Sequence, residues 1–199
     1  MKNTISEGKS LNPNPSSLNQ TSLIPQPSTL NRESLIPQPS TLNLQLTEHF
    51  TLAEFERSAT AAALGIDNRV PPQYVPVLQQ LCQQVLEPLR HFVGQPIVIT
   101  SGYRCSQLNV KVGGAYASQH TLGEAADLRL PLTPYTAWED NQRHTDLEVA
   151  HRWIDFLEHH TDFDQLILET ANGKDYWLHV SCRRNRKANR HQVIRYLKK

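Results

Sequence analysis

The first 43 residues contain one segment twice. SLIPQPSTLN occupies residues 22–31 and again residues 34–43, a repeat of period twelve with shorter SLN echoes upstream. Prolines and polar residues dominate it, and apolar residues recur with neither helical nor strand period. Such a chain cannot bury enough apolar surface to offset the entropy of ordering it, and two copies are too few for a stacked-repeat fold. Residues 1–44 are therefore expected to be a disordered, partly extended arm, and any core has to be built from residues 45–199.

In that remainder helical patterns come first and strand patterns cluster later. Thr51 followed by Glu54 fits a capping box, with Gly65 as the helix stop. Tyr74, Val77, Leu78, Leu81, Val85, Leu89 and Phe92 fall on one face of a second helix. Pro72 opens it harmlessly, and Pro88 should bend or crowd its last turn. Ile97 to Thr100 and the run EAADLRL read as strands. The run from Thr145 to His160 is helical, with Leu147, Ala150, Trp153, Ile154 and Leu157 inward. FDQLILET and YWLHVSC read as strands joined by the turn ANGKD, and HQVIRYL is expected to add an edge strand. The expectation is an α+β domain with a small, mainly antiparallel sheet and packed helices.

Composition narrows the function classes. The net charge of +1 gives no reason to expect a specific nucleic-acid partner. Residues 183–199 nevertheless carry eight Lys or Arg and no acid, which leaves the remainder acidic. A solvated basic edge accounts for this, and weak attraction to a polyanion is the alternative. Cys82, Cys105 and Cys182 form no CxxC pair, which argues against a disulfide framework and fits a reducing compartment. The first ten residues lack the apolar core of a secretory signal, and no apolar run is long enough to span a membrane. A protein soluble in the cytoplasm as synthesised is expected, acting as a monomer, with action at the cell wall requiring a further export or lysis route.

Among nine histidines, His49, His91 and His191 stand singly in polar or terminal surroundings and read as surface residues. His144, His151, His159 and His160 belong to a helical region whose solvated end explains them. His120 and His179 differ. His120 lies among Gly, Ala and Ser, where the backbone can approach closely. Strand alternation puts Trp177, His179 and Ser181 on one face and Leu178 and Val180 on the other. Asp127 interrupts an apolar strand, where a lone buried carboxylate is costly. Two histidines and an aspartate in one groove would satisfy each other by binding Zn2+. Three protein ligands leave a fourth tetrahedral position open to water, as in catalytic zinc sites, where the ion activates water and polarises a carbonyl. On spacing alone, core histidines and a turn-capping aspartate explain the same residues.

The segments ITSGYR, VGGA, SQHTLGEAADL, FDQLILE and WLHVS, with the entry HFTLAEFERSATA, resemble those of the zinc D-alanyl-D-alanine carboxypeptidase family. The likeness is greatest to the branch that includes a small extracellular muramoyl carboxypeptidase, and runs from about His49 to Arg186. It implies the fold shared with the hedgehog signalling domain, zinc on His120, Asp127 and His179, and peptidoglycan stem peptides as substrates. It also implies that Arg104 stabilises developing negative charge or grips a substrate carboxylate, where a loop-fixing salt bridge is the plain alternative. Ser118 and Gln119 could hydrogen-bond substrate backbone. Relatives carry an acid three residues before the last histidine, or a histidine two before, where this chain has Tyr176 and Trp177. Glu169 is then the expected general base, with Asp175 and Asp164 behind it. Cys105 reads as a spectator or an extra ligand. A domain binding wall peptides through a structural zinc without cleaving them, and a phage-type structural or lysis component, are the competing readings.

Overall fold

The computed structural model describes residues 44–132 and 145–198. The repeat-bearing arm, apart from Leu44, and His144 lie outside them.

Five strands form one sheet in the order β1-β2-β4-β3-β5. These are β1 (Ile99–Ser101), β2 (Ala125–Arg129), β3 (Gln165–Thr170), β4 (Tyr176–Ser181) and β5 (Gln192–Lys198). All neighbours run antiparallel except β3 and β5, which are parallel, with β5 at the edge. The α+β architecture is the expected one. β1 begins two residues later than the apolar run suggested. The turn at 171–175 is tied by Asn172, whose Oδ1 accepts the Lys174 and Asp175 N–H groups.

One sheet face is aliphatic. Ala126 and Leu128 of β2, Leu166 and Leu168 of β3, and Leu178 and Val180 of β4 join one buried cluster with helical side chains. The helices concerned are α1 (Leu52–Glu56), α2 (Ala59–Leu64), α3 (Val75–Leu81), α4 (Glu87–Val93), α5 (Ser106–Lys111) and α6 (Leu147–His160). Leu78, Leu81, Val85 and Leu89 are buried as their spacing requires, and so are Ala150, Ile154 and Leu157. Full burial of one such side chain contributes about 1.5–3 kcal/mol. Phe92 and Leu147, expected inward, are exposed at element ends, where the helical face has run past the core. Phe92 stacks on Phe156 instead, at a centroid separation of 4.1 Å.

Two helices depart from simple periodicity. Between α3 and α4 the chain makes a π-helical turn, Cys82–Leu86, in which Glu87 N–H bonds to the Cys82 carbonyl. Pro88 follows at once. Its ring would collide with the carbonyl of Gln84 in a regular helix, and the widened turn relieves the crowding. The pattern over 51–65 breaks into α1 and α2, although the Thr51–Glu54 box forms, with Glu54 Oε2 accepting the Thr51 N–H at 2.7 Å. The Glu56 carbonyl turns away to accept from Asn68 Nδ2 at 3.0 Å, and Ser58 caps a new helix that Gly65 ends in the left-handed conformation.

Gly102, just after β1, lies against α1. A β-carbon there would sit 2.5 Å from the Phe55 Cα and 2.7 Å from its carbonyl oxygen. Both are backbone atoms and cannot swing aside. Gly102→Ala is therefore expected to cost about 1–3 kcal/mol, read as a lowered urea midpoint. An unchanged midpoint would show that this contact is looser than described.

Candidate metal centre

The open face of the sheet is polar. Asp127 on β2 pairs directly with His179 on β4, which pairs with Ile167 on β3. The next row toward the β3–β4 turn holds Arg129, Trp177 and Glu169. His120 reaches this face from a short 3-10 turn, Gln119–Leu122, that ends at Gly123 in the left-handed conformation with φ 70°. A β-carbon there would be strained and also crowd the Tyr74 Cβ at 3.2 Å. That reversal brings His120 back beside Asp127, seven positions further along the chain.

One nitrogen or carboxylate oxygen from each of His120, Asp127 and His179 lies within 4.8 Å of the other two. All three residues are buried. Asp127 Oδ1 sits 3.2 Å from His120 Nε2 and 3.0 Å from His179 Nδ1. Its Oδ2 accepts from an Arg104 terminal nitrogen at 2.5 Å. Burial alone would raise the Asp127 pKa, but the charge and hydrogen bonds of His120 and His179 outweigh it and hold the carboxyl well below its usual range.

The histidine protons decide what the centre can hold. His120 Nδ1 faces the Gly102 carbonyl at 2.7 Å. A carbonyl only accepts, so Nδ1 carries the proton. Burial lowers the His120 pKa despite the nearby carboxylate, which favours the neutral ring with its lone pair on Nε2. That lone pair then faces an ionised carboxylate oxygen. A proton or a metal ion between them satisfies both. Two imidazoles and one carboxylate are the donors of a zinc site that keeps a position open, and the Gly102 carbonyl supplies the outer hydrogen bond that orients a metal-binding ring. The residues present fit a divalent metal.

The centre opens on a groove of about 450 Å3, also lined by Arg104, Ser118, Gln119 and Glu169. Glu169 is buried, at 3% exposure. Arg104 is held by two acceptors, Asp127 and Ser101 Oγ at 2.8 Å, so the loop-fixing salt bridge is present and the same side chain faces the groove. Asp175 is exposed in the β3–β4 turn. Cys105 caps α5, its sulfur accepting the Leu108 N–H. Neither it nor Asp175 lines the groove. The three cysteines are free.

Asp164 is buried and does other work. Its Oδ1 accepts from Arg183 Nε at 2.8 Å and Arg190 Nε at 3.0 Å, and its Oδ2 accepts from the Arg190 terminal nitrogen. Arg186 pairs with Asp162, and Arg195 with Asp155 and Glu158. Much of the basic C-terminal segment, read as a solvated edge, is thus folded against acids, and Arg183 and Arg190 form part of the groove wall. Asn68 lies in a polar loop. It is buried, its Nδ2 donates to the Tyr103 carbonyl at 2.9 Å, and its Oδ1 accepts the Cys105 N–H at 2.8 Å. It clamps the loop carrying Arg104 from both sides, and no local pattern announces this.

An α+β domain with a buried His–Asp–His cluster at the floor of a groove is the architecture of a metal-dependent hydrolase. The family model for peptidase M15 matches residues 48–160. This is more than half of the chain, and the chain belongs to that family, the zinc peptidases that include the D-Ala-D-Ala carboxypeptidases. Its members are metal-dependent. The match takes in His120 and Asp127 and ends before Glu169 and His179. No curated protein matches the chain. Among the described residues, no helix is long and apolar enough to cross a membrane.

Burial pushes the Asp164 pKa up, but its Arg190 and Arg183 partners hold it at about 2, against 3.8 ordinarily. A depressed carboxylate contributes stability that is present above the unfolded pKa and lost as pH falls through the folded one. Asp164 should therefore contribute about 2 kcal/mol at pH 7, lost between about pH 4 and pH 2. Asp164→Asn is expected to lower stability at pH 7 and to flatten the acid limb in that window, measured by urea unfolding at several pH values. An acid limb identical to wild type would refute the linkage.

Proposed function

We propose that this chain is a zinc metallopeptidase that hydrolyses peptidoglycan stem peptides, as a D-Ala-D-Ala carboxypeptidase or a murein endopeptidase. The observation that carries the reading is the His120–Asp127–His179 cluster facing, in an M15 chain, a groove that Glu169 and Arg104 also line. These three residues would hold the metal, with residues 1–44 as a linker ahead of the catalytic domain. Bound zinc supplies Lewis acidity, which lowers the pKa of water and polarises a carbonyl.

The remaining steps fall to side chains. Glu169 accepts a proton from the attacking water and delivers it to the departing amine, which demands a carboxylate in reach of both. Arg104, anchored on Asp127 and Ser101, has donors left for the oxygen that gains charge as the amide carbon becomes tetrahedral, or for a substrate carboxylate. Ser118 and Gln119, just before His120, are placed to bind an extended peptide. With Arg183 and Arg190 the wall offers three guanidinium groups. This favours a peptide bearing free carboxylates, which stem peptides carry in both side chain and terminus.

Purified protein, stripped with chelator and restored with zinc, should release D-alanine from a pentapeptide ending in D-Ala-D-Ala or generate new peptide ends from sacculi, read by mass spectrometry. Glu169→Gln should lower kcat by about 10²–10⁴-fold while retaining zinc. His120→Ala should lose the zinc of the groove and, with it, cleavage. Stoichiometric zinc with neither substrate cut would favour the competing reading, a wall-peptide-binding domain. A chain that takes up no zinc at this cluster would sink the assignment of the ligands.

A further inference from the structure

A second group of potential ligands lies outside the groove. Glu48 and His49 precede α1, His91 sits in the last turn of α4, and one ligand atom from each lies within 4.8 Å of the others. The two histidines are 42 residues apart and their rings meet edge to face, with centroids 5.4 Å apart. None of the three lines the groove.

Glu87 organises both rings. Its Oε1 accepts the His49 backbone N–H at 2.9 Å, and its Oε2 faces His49 Nδ1 at 2.7 Å. Its backbone carbonyl faces His91 Nδ1 at 2.8 Å. The backbone carbonyl can only accept, and the Glu87 carboxylate already accepts the His49 backbone N–H. Nδ1 of each ring is therefore engaged with Glu87, which leaves Nε2 to face a cation. Metal-binding histidines are braced in this way, with the far N–H given to a carboxylate or a backbone carbonyl. Glu48 adds a carboxylate oxygen to two imidazole nitrogens. The donor set suits a borderline divalent cation, and exposure of Glu48 and His91 leaves it open to exchange.

We propose that Glu48, His49 and His91 form a second, exchangeable site for a divalent cation such as zinc, braced by Glu87. Occupancy fastens the segment before α1 to α4, two elements already joined here by the Glu87 carboxylate and by the edge-to-face contact of the two rings.

The test is calorimetric titration of the chelator-treated full chain with Zn2+, paired with thermal melts. His120→Ala removes a groove ligand, and in that background zinc should still bind and still raise Tm. Adding His91→Gln or Glu48→Gln should weaken the remaining binding at least tenfold and abolish the Tm shift. Both residues are exposed, so the variants should fold, and their unliganded Tm checks this. His91→Gln alone should leave peptide cleavage unchanged, which separates this site from the proposed catalytic one. If the His120→Ala chain binds no zinc, or if its zinc response survives both second substitutions, the proposal is overturned.

Discussion

A single buried carboxylate organises the open face of this protein. Asp127 sits in a strand paired on both sides, at 5% exposure. An ionised group taken out of water to that extent costs several kcal/mol unless charge and hydrogen bonds are returned to it. They come from three other parts of the chain. Arg104 arrives from the loop after β1, His120 from the 3-10 turn, and His179 from β4. Each supplier is fixed in turn: Arg104 by Ser101 and the clamp of Asn68, His120 by the Gly102 carbonyl. The motifs GYR, SQH and WLHVS, separated along the sequence, are the parts of one electrostatic compensation.

The same logic operates at the other end of β3. Asp164 is as deeply buried as Asp127, and its compensation comes from the segment after β4, from the guanidinium groups of Arg183 and Arg190 and from the Arg190 backbone N–H. Two buried carboxylates on one domain thus meet different fates because of their partners. Imidazoles with a free lone pair can share a metal, whereas guanidiniums never give up a proton and can only neutralise. Asp164 therefore reads as an anchor that brings basic residues to the groove wall.

Patterns that repeat within one element were legible in the sequence. The aliphatic stripe of Leu78, Leu81, Val85 and Leu89 follows the helical period, and the alternation of Leu178 and Val180 with Trp177 and His179 follows the strand period. Both survive because one face of each element meets the core. Phe92 and Leu147 kept the period but lie beyond the core's edge. The break between α1 and α2 depends on a carbonyl captured by Asn68, a contact across 12 residues that no window of local pattern contains. His49 with His91, and Asp164 with Arg183 and Arg190, escaped notice for the same reason. Asp127 and His179 stood out as polar residues in apolar strands, and His120 as a histidine among Gly, Ala and Ser.

Why such a cluster can be specified at all follows from the strand pairing. Side chains alternate with a period of two, so a slip of one residue between β2 and β4 would turn His179 into the core and push Leu178 or Val180 into the groove. Those two are fully buried against Leu166, Leu168 and the helices, and exposing either would cost about 1.5–3 kcal/mol. The aliphatic face therefore sets the register, and the register sets Asp127 opposite His179. Precision on the polar face is inherited from packing on the other. Because the donors meet only once the strands have paired, a cation bound there would stabilise the paired sheet over the unfolded chain, in which the same groups are scattered. Metal binding at these residues would in that sense be coupled to folding of the domain.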